Sequence, residues 1–96
     1  MPTWTTTARF VRDYRSLSAG ERKRFRAAVR KFVEDLKAGK FRKSLRVKGI
    51  EGADGIFEMT WADHGRATFQ YGAEVRRGEP HIIWRRCGSH NIFAAP

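Results

Sequence analysis

Around residue 40 the apolar residues of this chain change their spacing, from one in every three or four positions to alternation. A 3.6-residue period buries one stripe of a helix and a period of two buries one face of a strand. The change therefore divides the chain into a helical first part and a sheet-forming second part. In the first part, Phe10, Tyr14 and Leu17 stand at i, i+4 and i+7, the spacing of one face of a short helix. Ser18 and Glu21 then have the spacing of a capping box, and Phe25, Ala28, Val29, Phe32, Val33 and Leu36 hold the helical period up to Gly39. This predicts a second helix from about Ala19 to Ala38. Two helices joined this closely form a hairpin, and their joint apolar face needs a sheet to cover it.

The second part supplies the sheet. Leu45 and Val47 alternate with Arg46 and Lys48; Phe57, Met59 and Trp61 with Glu58 and Thr60; Ala67, Phe69 and Tyr71 with Arg66, Thr68 and Gln70. Each segment has one apolar and one polar face. "EGADG" and "ADHG" read as hairpin turns, and "GAEVRRGEP" as a longer loop before a last strand, "HIIWRR", whose facing Ile82 and Ile83 leave open. Residues 3 to 6, with Trp4 among three threonines, have the composition of a short added edge strand. The expected class is α+β: an N-terminal helical hairpin packed on one face of a small antiparallel β-sheet, in one domain spanning residues 1–96.

Charge narrows the partners. Twenty Lys and Arg against ten Asp and Glu give a net charge of +10, a field suited first to nucleic acid and second to an acidic protein. No apolar run approaches the roughly 18 residues of a membrane span, and "MPTWTTTARF" lacks the apolar core of a signal peptide. The single cysteine, Cys87, can form no internal disulfide and has no CxxC partner for zinc, which fits a reducing cytoplasm. Nothing marks it as activated. Ser89 has no triad context, and Gly49, Gly52 and Gly55 read as turn glycines because no helix follows to cradle a phosphate.

If the helices cover the apolar face, parity sends Arg46, Lys48, Glu58, Thr60, Arg66, Thr68 and Gln70 to the other face. The last strand brings Arg85, Arg86 and His90 to its edge. In an arbitrary small α+β protein such a face is more often just the solvated side of a half-buried sheet, and His90 is equally a capping or surface histidine in a terminal turn. The chemical reading rests on residue type. An unperturbed imidazole exchanges protons near neutral pH, and an arginine fork can hold the oxygens of a phosphorane. Together they suit RNA cleavage through the 2'-hydroxyl, which needs neither a metal nor a protein nucleophile. His64, in a turn, and His81, at a strand start, read as structural or exposed.

The order of elements and the ending resemble the RelE/ParE superfamily of type II toxin–antitoxin toxins over essentially the whole chain. The resemblance runs through "SLRVKGIEGADGIFEMTW", "GRATFQYG" and "HIIWRRCGSHNIF". The last segment, a strand ending in Arg followed by Gly-Ser-His and an apolar-Phe pair, looks like the terminus of the YafQ-like ribosome-dependent mRNA endonucleases. The resemblance implies that His90 is the general acid/base, Arg86 the transition-state arginine and Arg66 a further catalytic arginine opening a strand. Arg46, Lys48 and Arg85 would bind phosphate, and Phe93 would meet the substrate, although it follows His90 by three residues where the family has four. No second catalytic histidine matches. The resemblance further implies a cognate antitoxin, the ribosome and mRNA as partners, and no cofactor. ParE-like members share the scaffold and poison DNA gyrase without cutting RNA, so fold alone does not choose the activity.

Overall fold

The computed structural model describes residues 1–96. The two helices lie where the period places them: α1 at Ala8–Ser16 and α2 at Ala19–Ala38. Thr7 caps α1 by accepting the Phe10 N–H at 3.1 Å. The Ser18–Glu21 capping box closes in both directions, with the Ser18 N–H donating to Glu21 at 2.8 Å and the Glu21 N–H to Ser18 Oγ at 3.1 Å. Gly39, at φ 80°, ends α2 in the left-handed region that only glycine enters without cost.

Five strands form one sheet in the order β1-β5-β4-β3-β2, with β1 at Thr3–Thr6, β2 at Lys48–Gly49, β3 at Phe57–Thr60, β4 at Arg66–Gly72 and β5 at His81–Gly88. The sheet is mixed, not purely antiparallel as expected. The edge strand at residues 3–6 exists, but it runs parallel to β5, with Thr3 opposite His81 and Thr6 opposite Trp84. Both helices and strands β2 to β4 lie between β1 and β5 in the chain, so no hairpin joins the two, and the antiparallel expectation fails at this one edge.

A second correction concerns "SLRVKGI". Lys43–Leu45 is a 3-10 turn and only Lys48–Gly49 pairs as a strand. The cause is Asp35 on α2, whose carboxylate accepts the Arg42 N–H, Nε and Nη2 at 2.8 Å each. Those bonds hold the chain against the end of α2, and Arg46 then turns it at φ 48°. Alternating apolar residues survive there, with Leu45 buried, but the extended backbone does not.

The core lies between the helix hairpin and one face of the sheet. Phe32 (1% exposed) meets Phe69 (0%) edge-on at 5.0 Å, and Phe25 sets its edge against Trp61 and Trp84, each at 5.9 Å. Fully burying one such side chain contributes about 1.5–3 kcal/mol. Gly65 is required by this packing, since a Cβ there would stand 2.5 Å from the Trp61 ring. Tyr71, expected under the helices, is exposed and touches only the rim of this cluster, edge-on to Phe57 and Phe69.

In β5 the facing left open by two adjacent isoleucines is now decided: Ile82 and Trp84 point into the core. Phe69 pairs with Trp84 and Thr68 with Arg86, so Arg85 has no cross-strand partner and forms a β-bulge. The extra residue resets the alternation, which is why Cys87, three positions after Trp84, returns to the core. Burial of its thiol pushes the pKa up to about 12, so Cys87 serves as a small packed residue.

Candidate nucleic-acid cleavage site at the end of the last strand

Beyond Trp84 the edge of β5 runs past β1, and side chains of the first helix close it. The Thr7 hydroxyl donates to the Arg85 carbonyl at 2.8 Å, and the Asp13 carboxylate accepts the Cys87 N–H at 3.3 Å. Asp13 also takes the Arg86 guanidinium side-on, from Nε at 2.9 Å and Nη2 at 3.0 Å. That pairing raises the Arg86 pKa further above its ordinary value. Arg86 Nη1 reaches the Ala95 carbonyl at 3.3 Å, while Arg85 bonds Gln70 Oε1 through Nη1 and the Pro96 carbonyl through Nε. Both arginines are thus held over the sheet by backbone and side-chain acceptors.

After Gly88 the chain enters a second 3-10 turn, His90–Ala94, capped by Ser89, which accepts the Asn91 N–H. Ile92 is the buried anchor of this turn and packs on Gly88, where a Cβ would come within 3.0 Å of Ile92 Cγ2. His90 is exposed, and no protein hydrogen bond holds its ring. Its one aromatic contact is Phe93, at 5.7 Å between centroids and 32° between planes. The three-residue spacing that departs from the family pattern still brings the two rings together, because one turn of 3-10 helix places i and i+3 side by side.

The cross-sheet register aligns Lys48, Glu58, Thr68 and Arg86 in one row, with Thr60, Arg66 and Gly88 in the next. Parity therefore holds, but the face is not open throughout. The His90–Ala94 turn packs on β4 and β5, and Thr68 beneath it is wholly buried with its hydroxyl unpaired. Arg66 is tied to the β3–β4 turn, its Nη1 donating to the carbonyls of Ala62, Asp63 and Gly65 at 2.9–3.2 Å. Arg46 and Lys48 are exposed at the far side of the row, Arg46 on its left-handed turn rather than on a strand.

The structure thus gathers Arg85, Arg86, His90 and Phe93 at one end of β5, sets Arg66 one register position away, and leaves Arg46 and Lys48 across the sheet. Sequence reasoning missed Asp13, which spacing shows only as a polar position of α1. It also read His64 as a bare turn residue. That imidazole lines a cleft of about 580 Å³ with Arg24 and with Ser89, the residue before His90. His81, buried between Thr3 and Thr5 with both ring nitrogens in hydrogen bonds, is structural, as expected.

No protein-family model matches the sequence, and no curated protein does. Solved structures match its fold. A chain of the RelB–RelE antitoxin–toxin complex from Methanococcus jannaschii superposes with a TM-score of 0.64 at 17% identity, covering 93% of both chains. YafQ from E. coli gives 0.64 at 8% identity, covering 97% of this chain and 98% of YafQ. The YoeB/ParE toxin from Agrobacterium tumefaciens gives 0.65 at 12%, covering 92% and 98%. The chain has the RelE-type α+β fold.

Proposed function

We propose that this protein is the toxin of a toxin–antitoxin pair and that it cuts mRNA on the ribosome, in the cytoplasm. The observation that carries the reading is the meeting of an exposed His90, the neighbouring Phe93 ring and the held Arg85 and Arg86 at the end of β5, on a RelE-type fold. In this reading the 2'-oxygen bonds to the adjacent phosphorus as the bond from phosphorus to the 5'-oxygen breaks, Arg86 and Arg66 neutralise the phosphorane, and His90 protonates the departing 5'-oxygen while water takes the 2'-proton. Arg46, Lys48 and Arg85 bind flanking phosphates. The chemistry consumes no metal, and the 5' fragment ends in a 2',3'-cyclic phosphate. His90 is exposed at the chain's last turn, which fits a substrate strand held by a larger assembly.

The partner reading rests on the other side of the molecule. An apolar groove of about 600 Å³ lies between β1 and the helix hairpin, lined by Trp4, Val11 and Val33, with Arg15, Arg26 and Arg30 also at its walls. Trp4 is 65% exposed, and β1 has an unpaired outer edge. An acidic amphipathic segment of the antitoxin suits both the apolar lining and the arginines.

The test is cleavage of mRNA on programmed ribosomes, with a 2'-deoxy nucleotide at the scissile position as control. Cutting of the all-ribose strand to a cyclic phosphate, with binding but no cutting of the deoxy strand, is expected. Intact mRNA together with inhibited DNA gyrase would replace this reading with the ParE-like one, and RNA binding without cleavage by wild type would leave a basic RNA-binding module.

A further inference from the structure

We propose that Asp13 is a positioning residue for Arg86, holding the guanidinium side-on so that its free donors face an incoming phosphate; the inference rests on the nuclease reading above. A guanidinium has five N–H groups. Asp13 takes one from Nε and one from Nη2, and the Ala95 carbonyl takes one from Nη1. One N–H on each terminal nitrogen remains uncommitted, the number a single phosphate needs for a two-pronged contact.

Two features separate this pair from an ordinary surface ion pair. Its side chains are only 19% and 16% exposed, so solvent screens it weakly. Asp13 is itself fixed, because its Oδ2 also accepts the Cys87 N–H at the uncovered edge of β5. Helix α1 and strand β5 thereby share one carboxylate, and the arginine inherits the rigidity of both. A free arginine would have to be immobilised at the moment of reaction; this one is already in place. Arg85, the neighbouring cation on β5, is committed to Gln70 and Pro96, and Arg86 is the side chain ion-paired with Asp13.

The experiment is single-turnover cleavage on programmed ribosomes by wild type, His90→Ala, Asp13→Asn and Asp13→Glu, each checked for a cooperative melt. Asp13→Asn preserves shape but turns one acceptor into a donor facing Arg86, and its kcat should fall about 10–100-fold while KM for the ribosome stays within about twofold. Asp13→Glu, which restores the charge on a longer arm, should lie between Asn and wild type. In an Asp13→Asn background, Arg86→Lys should cost less than it does alone, since the two act as one unit. Wild type that does not cut refutes the nuclease reading itself. Wild type that cuts while Asp13→Asn cuts equally fast, or faster, overturns the role of Asp13. Should Asp13→Asn not fold, Asp13→Glu decides: a reduced kcat at unchanged KM supports the role, and the wild-type rate overturns it.

Discussion

The end of β5 and the groove beside β1 are opposites in chemistry. The first is a polar surface carrying an exposed imidazole and arginines already committed to acceptors, with the cleft of about 580 Å³ at Ser89 beside it. The second is a concavity of about 600 Å³ with mostly apolar walls. A small-molecule enzyme would put its reactive groups in the larger hollow. Here the hollow is lined by no histidine or carboxylate, and the candidate imidazole stands exposed elsewhere. On the proposed function, the difference would separate a groove that buries a partner's apolar surface from an end that relies on an assembly to present the strand.

That division can be broken experimentally. The largest effect is expected at the end of β5: His90→Ala should lower cleavage by about 10²–10⁴-fold with no loss of melting temperature, since the ring is exposed and unbonded. A His90→Ala protein cutting at full rate would remove the chemistry from this end altogether. Arg86→Ala should be as damaging to cleavage, and it should also cost about 2 kcal/mol of stability in a denaturant titration because Asp13 is left without its partner. Wild-type stability in that variant would mean that the pair is not maintained in solution.

The groove supplies the next effect. Trp4→Ala should weaken binding of the antitoxin by about 30-fold, the scale of a lost aromatic hot spot, measured by titration calorimetry. Undiminished affinity would move the partner to another surface, with the face beside His90 the first alternative.

Two smaller effects concern the loop and the turn that frame the site. Arg42 holds the Asp35 carboxyl down at about 2, so the stability this carboxylate contributes is complete above its unfolded pKa near 4. It is lost as pH falls from about 4 towards about 2. Asp35→Asn should flatten that part of the acid-unfolding curve; an unchanged curve would assign the acid sensitivity elsewhere. Thr68→Val should stabilise the protein by about 1 kcal/mol, because it removes a buried hydroxyl that has no partner. A destabilised Thr68→Val would show that the hydroxyl is bonded in solution beneath the terminal turn.

Much of the fold was legible in order along the chain. A short first helix through residues 10–17, the second helix from Ala19 to Ala38, the capping box, the stop at Gly39, and the strands through residues 57–60, 66–71 and 81–86 follow from contacts between residues two to four positions apart. The candidate groups at the site were legible too, as residue types at the exit of a strand. Their state was not. That Arg86 is held rather than free, and that Arg66 is tied to its own turn, depends on acceptors no local pattern names.

By itself the sequence determined periodicity, caps and charge, because each is set by near neighbours whose geometry repeats every turn or every pleat. Only the tertiary structure decided the parallel seat of β1, the bulge at Arg85 that returns Cys87 to the core, the turn imposed on Arg42–Arg46 by Asp35, and the burial of Thr68. It also joined Asp13 to Arg86 across 73 positions. The physical reason is the same in each case. A strand's register, a bulge and a shared carboxylate are chosen by which hydrogen-bonding groups remain unpaired once distant elements pack, and that remainder exists only in the folded chain.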